Sequence, residues 1–154
     1  MPTRNRSIEN MRAAAGNRPV AAGAAALQMM DALPVAVYRC DARRRIVHHN
    51  EAAAALWGRR PAMVKDLWCG SLKMYQSDGR ALAHELSPMT QALLMGGAID
   101  ESDLLMERPD ATRVHVSAHV RPLLDASGML TGAINTLPTP LSASRPGNAC
   151  GQAI

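Results

Sequence analysis

Val114-His115-Val116-Ser117-Ala118-His119-Val120-Arg121 alternates apolar and polar residues over eight positions. That is the pattern of a sheet strand with one dry face and one wet face. A turn at Asp125-Ala126-Ser127-Gly128 follows, then an apolar strand from Met129 to Leu137. Two long neighbouring strands closing the chain, with short helical segments before them, predict an antiparallel sheet carrying helices on one face. Such a small α+β cup suits holding a small molecule or a partner better than it suits chemistry.

At 154 residues the chain is long enough for one domain plus tails. A core of about 115 residues buries roughly 65% of its unfolded surface and folds without staples. Tyr38, Trp57, Trp68 and Tyr75 are the only aromatics, with no Phe, so Leu, Val, Ala and ten Met must fill the interior. The net charge of +4 comes from the ends: Arg4, Arg6, Arg12 and Arg18 against Glu9 at the N-terminus, and Arg145 near the C-terminus. The remainder is neutral, which gives nucleic-acid binding little support. Cys40, Cys69 and Cys150 form no CxxC and no regular framework, as in a reduced, cytoplasmic chain. No window reaches the ~18 apolar residues of a membrane span.

Composition divides the chain into a disordered basic tail over 1–20, a folded domain over 21–138 and a Pro-, Ser-, Gly- and Ala-rich disordered tail over 139–154. Ala21–Leu33 predicts a helix stopped by Pro34. Val35–Cys40 reads as a strand with Ala36, Tyr38 and Cys40 on one face, and Arg45–His49 as its return. Asn50 is placed to cap a helix that ends at Gly58. A second short helix is expected over Pro61–Leu67, and irregular chain over Trp68–Glu85 with a turn at Ser77-Asp78-Gly79. Ser87-Pro88 opens another helix, which runs to the Gly96-Gly97 stop. A strand over Ala98–Arg108 then forms a hairpin with the one over Arg113–Leu124.

With that order in hand, Leu27 to Leu137 resembles a PAS domain, the bacterial sensor module. The residues that carry the likeness are Asp31-Ala32-Leu33-Pro34-Val35, Ile46-Val47-His48-His49-Asn50, Gly58 and Glu107-Arg108-Pro109-Asp110. Pro122-Leu123-Leu124-Asp125 to Gly128 and Leu130-Thr131-Gly132-Ala133-Ile134-Asn135 complete it. Trp68-Cys69-Gly70-Ser71, with His84 and Ser87-Pro88-Met89, looks like a subgroup found in front of histidine kinases. The resemblance implies a five-stranded antiparallel sheet in order 2-1-5-4-3, with helices across one face enclosing a pocket. It also implies a homodimer, built through an N-terminal helix, here Ala21–Leu33. Where family turns carry Asp-Gly, this chain has Arg43-Arg44 and Ala111-Thr112. A left-handed conformation there costs on the order of 1 kcal/mol.

Catalytic and metal chemistry find little footing. His115 and His119 lie on one strand face with Cα atoms ~13 Å apart, too far to share a metal. His48 and His49 point to opposite faces. No Gly-x-Ser-x-Gly elbow surrounds Ser71, Ser87 or Ser117, and no Gly-rich phosphate loop is present. Cys69 sits in Trp-Cys-Gly-Ser, not in the Asn-Cys-Arg setting of flavin photochemistry. His84 is the one histidine near the expected pocket. As a haem ligand it is displaced from the helix that haem-binding PAS sensors use, since Pro88–Met95 holds no His.

The candidate ligand site is therefore apolar with polar tips: Trp57, Trp68, Tyr75, His84, Met89 and Leu93 in the helical half. No catalytic residue and no metal are expected, and the cofactor is left open. The reading is a stand-alone sensory and dimerisation module, not an enzyme, that binds a small ligand or partner. It relays the change to a separate signalling protein such as a histidine kinase. The alternatives are a ligand-free interaction scaffold whose interior is filled by its own side chains, and a haem sensor.

Overall fold

The structure, a computed structural model, describes residues 23–63 and 65–139. The expected tails fall outside those residues, apart from Thr139. Helix α1 covers 23–32 within the expected 21–33; it belongs to a unit separate from the one that begins at Leu33.

The second unit is an antiparallel sheet with two helices. Its strands are β1 (Ala36–Asp41), β2 (Ile46–His49), β3 (Lys73–Gln76), β4 (Ala81–Leu82), β5 (Ile99–Glu107), β6 (Arg113–Leu124) and β7 (Leu130–Leu137). Helix α2 is Glu51–Trp57 and α3 is Pro88–Met95, the latter preceded by a 3-10 turn at His84–Leu86. The sheet order is β2-β1-β7-β6-β5-β3-β4. Its first five strands reproduce the expected order 2-1-5-4-3. The strand count is corrected from five to seven, because the β3–β4 hairpin extends the β5 edge. Met74 pairs with Leu82 across that hairpin and with Met106 across β5. The stretch expected to be irregular thus holds two short strands around its turn.

Local chemistry sets most of the boundaries. The Asn50 side chain accepts from Ala53 N at 2.9 Å, capping α2. Gly58 ends the helix at φ +67°, a conformation that costs glycine nothing. Ser87 accepts from Thr90 N with Pro88 in the first turn, and Gly96 ends α3 in the same left-handed way. The helix expected over Pro61–Leu67 does not form. One turn closes at Ala62–Asp66, where Asp66 Oδ2 accepts from Ala62 N at 2.9 Å and pairs with Arg59. The next residues are drawn alongside β2: Ile46 N donates to Asp66 O, Trp68 N donates to Arg44 O, and Leu67 bridges to Arg45. Extended pairing wins there over helix propagation, which needs more than one turn to be favourable.

Alternation then decides what is inside. Ala36, Tyr38 and Cys40 of β1, Val116, Ala118 and Val120 of β6, and Ala133 and Leu137 of β7 all face the core. Trp57 of α2 and Met89, Ala92 and Leu93 of α3 cover them. Each fully buried valine contributes roughly 1.5 kcal/mol or more. The opposite register of β6, including His115, Ser117 and His119, lies on the outer face. At the start of β5 the exposed Asp100 pairs with Arg121 at 2.6 Å.

The two turns lacking glycine bear their expected cost, since Arg44 and Ala111 stand at φ +69° and +67°. Arg44→Gly and Ala111→Gly are each expected to raise stability by up to about 1 kcal/mol, read as a higher urea midpoint at unchanged slope. Glycine's extra freedom in the unfolded chain offsets part of the gain.

Carboxylates hold the hairpins of the second half. Asp125 Oδ1 accepts from the Ser127 hydroxyl at 2.6 Å and from Met129 N at 3.0 Å. These bonds, the hydroxyl first, hold its carboxyl below the ordinary range. The Thr112 hydroxyl does the same for Asp110, and Tyr75 followed by Arg113 for Glu107. Groups lowered by folding stabilise the native state above the unfolded carboxylate value, and that contribution is lost as pH falls through their folded values. The urea midpoint is therefore expected to stay level near neutrality and to fall below about pH 4. Asp125→Asn should flatten part of that fall.

Candidate ligand site

Trp57, the last residue of α2, is fully buried. Its indole meets the Tyr38 ring edge-on at 5.2 Å between centroids and the His49 ring at 5.9 Å. Gly70 lies flat against it, so closely that a Cβ there would collide with the indole carbons. Gly70 is thus required by approach rather than by φ.

Tyr38 is the centre of a polar knot inside the cup. Its hydroxyl donates to Trp68 O at 2.9 Å and accepts from Asn135 Nδ2 at 3.2 Å. Cys40 Sγ lies 3.8 Å from the same Trp68 carbonyl, and Cys69 Sγ lies 3.2 Å from Ser71 Oγ. Burial pushes the Tyr38 hydroxyl and both thiols up, so all three are neutral at ordinary pH. The backbone at Trp68 stands at φ +63°, an uncommon state for a bulky residue, held by bonds on both sides.

In the residues that meet Tyr38, three buried polar atoms have no partner among the described residues: Trp57 Nε1, Trp68 Nε1 and Asn135 Oδ1. Two are donors and one is an acceptor. An unsatisfied group of this kind costs about 1–3 kcal/mol. Trp57 and Asn135 touch Tyr38 with their side chains, whereas Trp68 meets it through its backbone carbonyl and turns its indole to His84. A small neutral molecule offering an acceptor and a donor is the chemistry that would satisfy them.

Of the residues singled out from sequence, Trp57, Met89 and Leu93 come together in the core. Trp68 and His84 form a second group beside it, with ring centroids 6.4 Å apart. His84 Nε2 donates to Ser71 O at 3.1 Å, and Thr90 Oγ1 donates to His84 O at 3.1 Å. An axial bond from His84 to haem would require the Ser71 contact to break. Tyr75 borders an open cleft of about 390 Å³ together with His84; β3 turns Met74 inward, while the Tyr75 hydroxyl donates to Glu107 at 3.0 Å under the Arg113 guanidinium. Sequence reasoning placed Tyr38 on the correct strand face without assigning it a role, and missed Asn135, Cys40, Cys69 and Ser71 as site residues. The available signal was Asn135 itself, a polar residue in the inward register between Ala133 and Leu137.

Comparison with known proteins agrees with this architecture. The family model described as PAS fold matches residues 30–138. The PAS domain of nitrogen regulation protein NR(II) from Vibrio parahaemolyticus superposes with a TM-score of 0.54 at 16% identity, covering 74% of this chain and 96% of that one. The PAS domain of an HTR-like protein from Haloarcula marismortui gives 0.51 at 18% identity, covering 81% and 97%. The light-state dimer of the fungal blue-light photoreceptor Vivid gives 0.54 at 13% identity, covering 68% and 77%. At these identities the likeness is one of fold. No curated protein matches the sequence.

Proposed function

Because the chain belongs to the PAS-fold family, we propose that it is a sensory module that takes up a small, neutral, partly apolar ligand between its sheet and its helical roof. The observation that carries this reading is that Trp57 Nε1, Trp68 Nε1 and Asn135 Oδ1 are buried without a partner among the described residues. All three residues meet Tyr38, Trp57 and Asn135 by their side chains and Trp68 by its backbone carbonyl. The site comprises Trp57, Trp68, Met89 and Leu93 from the sequence reading, with Tyr38 and Asn135 added. His84 orients the Ser71 loop, and Tyr75 belongs to the outer network with Glu107 and Arg113. The neutral phenol and thiols favour an uncharged ligand over an ion.

A signal requires the ligand to favour one conformation over another. The segment from Gly58 to Leu72 has little regular secondary structure among its described residues. Its ties to the rest include Trp68, whose carbonyl accepts from the Tyr38 hydroxyl and whose N–H donates to the Arg44 carbonyl. A ligand at Trp68 therefore acts on points that hold the segment. The change passes through β1, β6 and β7 to their outer face, where an open cleft of about 470 Å³ is bordered by Val35, His119, Arg121 and Ile134. The receiving partner in this reading is a separate signalling protein, such as a histidine kinase, and the module acts as a cytoplasmic homodimer spanning residues 21–138. No helix among the described residues is long and apolar enough to cross a membrane.

A second reading, a ligand-free interaction scaffold, is favoured by Trp57 and Met89 being wholly buried against their neighbours. A melting-temperature series with benzamide, which pairs an apolar ring with a carbonyl acceptor and an amide donor, separates the two. Uptake should raise the midpoint of the wild-type chain and leave Asn135→Leu unmoved, with ethylbenzene, lacking the polar atoms, less effective. Equal responses of both proteins to both compounds would reject the sensor reading.

A further inference from the structure

At the end of the sheet where β1 begins and β7 finishes, an open cleft of about 550 Å³ lies against α2. Pro34, Val35, Ala55, Leu137 and Pro138 give it apolar walls, and Arg108 is the one charged side chain among the described residues that line it. Its size falls within the range of about 300–1,000 Å³ usual for small-molecule sites.

Arg108 is held in place by its stem. Its Nε donates to Leu56 O at 2.9 Å, meeting the last turn of α2. Its Cγ and Cδ pack on Gly58, 3.3 Å from where a Cβ would stand. Its terminal amino groups have no acceptor among the described residues. The adjacent acid, Glu107, is engaged by Tyr75, Lys73 and Arg113. Asp110, two residues on, directs Oδ1 to the Thr112 amide at 3.0 Å and the Thr112 hydroxyl at 2.6 Å, and feels the Arg108 charge without a hydrogen bond to it. A guanidinium anchored through Nε presents its remaining N–H groups in a fixed fork, the geometry that meets a carboxylate.

We propose that this cleft binds an amphipathic monocarboxylate, its carboxylate on Arg108 and its hydrocarbon along Pro34, Val35, Ala55 and Leu137. The interior site around Tyr38 is uncharged, so the two sites select different ligands. Occupancy of the cleft would tie the β5–β6 hairpin and α2 to both points where the chain joins the sheet, Pro34–Val35 and Pro138–Thr139. That gives the carboxylate a direct hold on the segments leading away from the domain.

The test is a titration of the full, isotope-labelled chain with octanoate, and separately with 1-octanol, followed by NMR. Octanoate should shift the Arg108 Nε–H signal and the amides of Ala52, Ala55 and Leu137, leaving the Trp57 and Trp68 indole signals in place. It should bind about ten-fold or more tightly than 1-octanol, and Arg108→Gln should weaken it by a similar factor. Ala55→Trp fills the cleft from an exposed position on α2 and should abolish binding, which guards against Arg108→Gln acting through loss of the Leu56 contact. Equal affinity for 1-octanol, undiminished binding by either variant, or shifts centred on the indoles would each overturn the assignment.

Discussion

Trp57→Ala is expected to lower the unfolding free energy by about 3–5 kcal/mol. The indole is fully buried, clasped by Tyr38, His49 and Gly70, and it joins α2 to β1 and to the loop before β3. Removing it leaves a large void that the rigid sheet side cannot close. Trp57→Phe should cost less than half as much. It keeps an aromatic ring against Tyr38 and removes Nε1, an N–H that is buried without an acceptor among the described residues. Urea unfolding followed by circular dichroism measures both, since Trp57 is itself a fluorophore. An alanine cost under about 1 kcal/mol would mean that the indole does not fill the core as described.

Asn50→Ala is expected to cost about 3 kcal/mol, from two separate losses. Asn50 Oδ1 caps α2 through Ala53 N at 2.9 Å and also accepts from Val37 N at 3.0 Å. Losing the cap costs about 1 kcal/mol, and leaving the buried Val37 amide without a partner adds roughly 1–3. Nδ2 donates to Val35 O at 2.8 Å and Leu33 O at 3.4 Å, so the same side chain fixes the approach to β1. Asn50→Asp retains the acceptor and loses those donors, setting a carboxylate against the Val35 carbonyl. It should fall between wild type and alanine if the cap and the Val37 bond dominate. Hydrogen exchange at the Val37 and Ala53 amides should accelerate in Asn50→Ala; unchanged protection there would contradict the double role.

Much of this fold is written in short-range patterns. The eight-residue alternation at Val114–Arg121 lies within β6, and its inward valines face the helices as their period requires. Asn50, Ser87, Gly58 and Gly96 mark helix ends because each satisfies backbone groups within four residues of itself. What escaped the sequence depends on distant partners. Strands β3 and β4 are only four and two residues long; β3 is ordered by pairing with β5, and β4 by pairing with β3, rather than by their own composition. Pro61–Leu67 has helix-forming residues, yet β2 competes for its backbone. The site divides in the same way. Trp57, Met89 and Leu93 were visible as apolar bulk, whereas the Tyr38–Asn135 hydrogen bond spans 97 positions and no local pattern announces it. Tyr75 borders a cleft with His84 rather than joining Trp57, Met89 and Leu93, a separation set by the register of β3 that no local pattern announces.

The interior ligand site proposed around Tyr38 is tested most directly by the two indole N–H signals in a proton–nitrogen NMR spectrum of the full chain, since Trp57 and Trp68 are its only tryptophans. Both N–H groups are buried without an acceptor among the described residues. On titration with benzamide, at least one should move downfield as it gains a carbonyl acceptor, and Asn135→Leu should weaken the response. Indole signals that stay fixed while benzamide shifts amides only on the outer sheet face would contradict a ligand site in the interior.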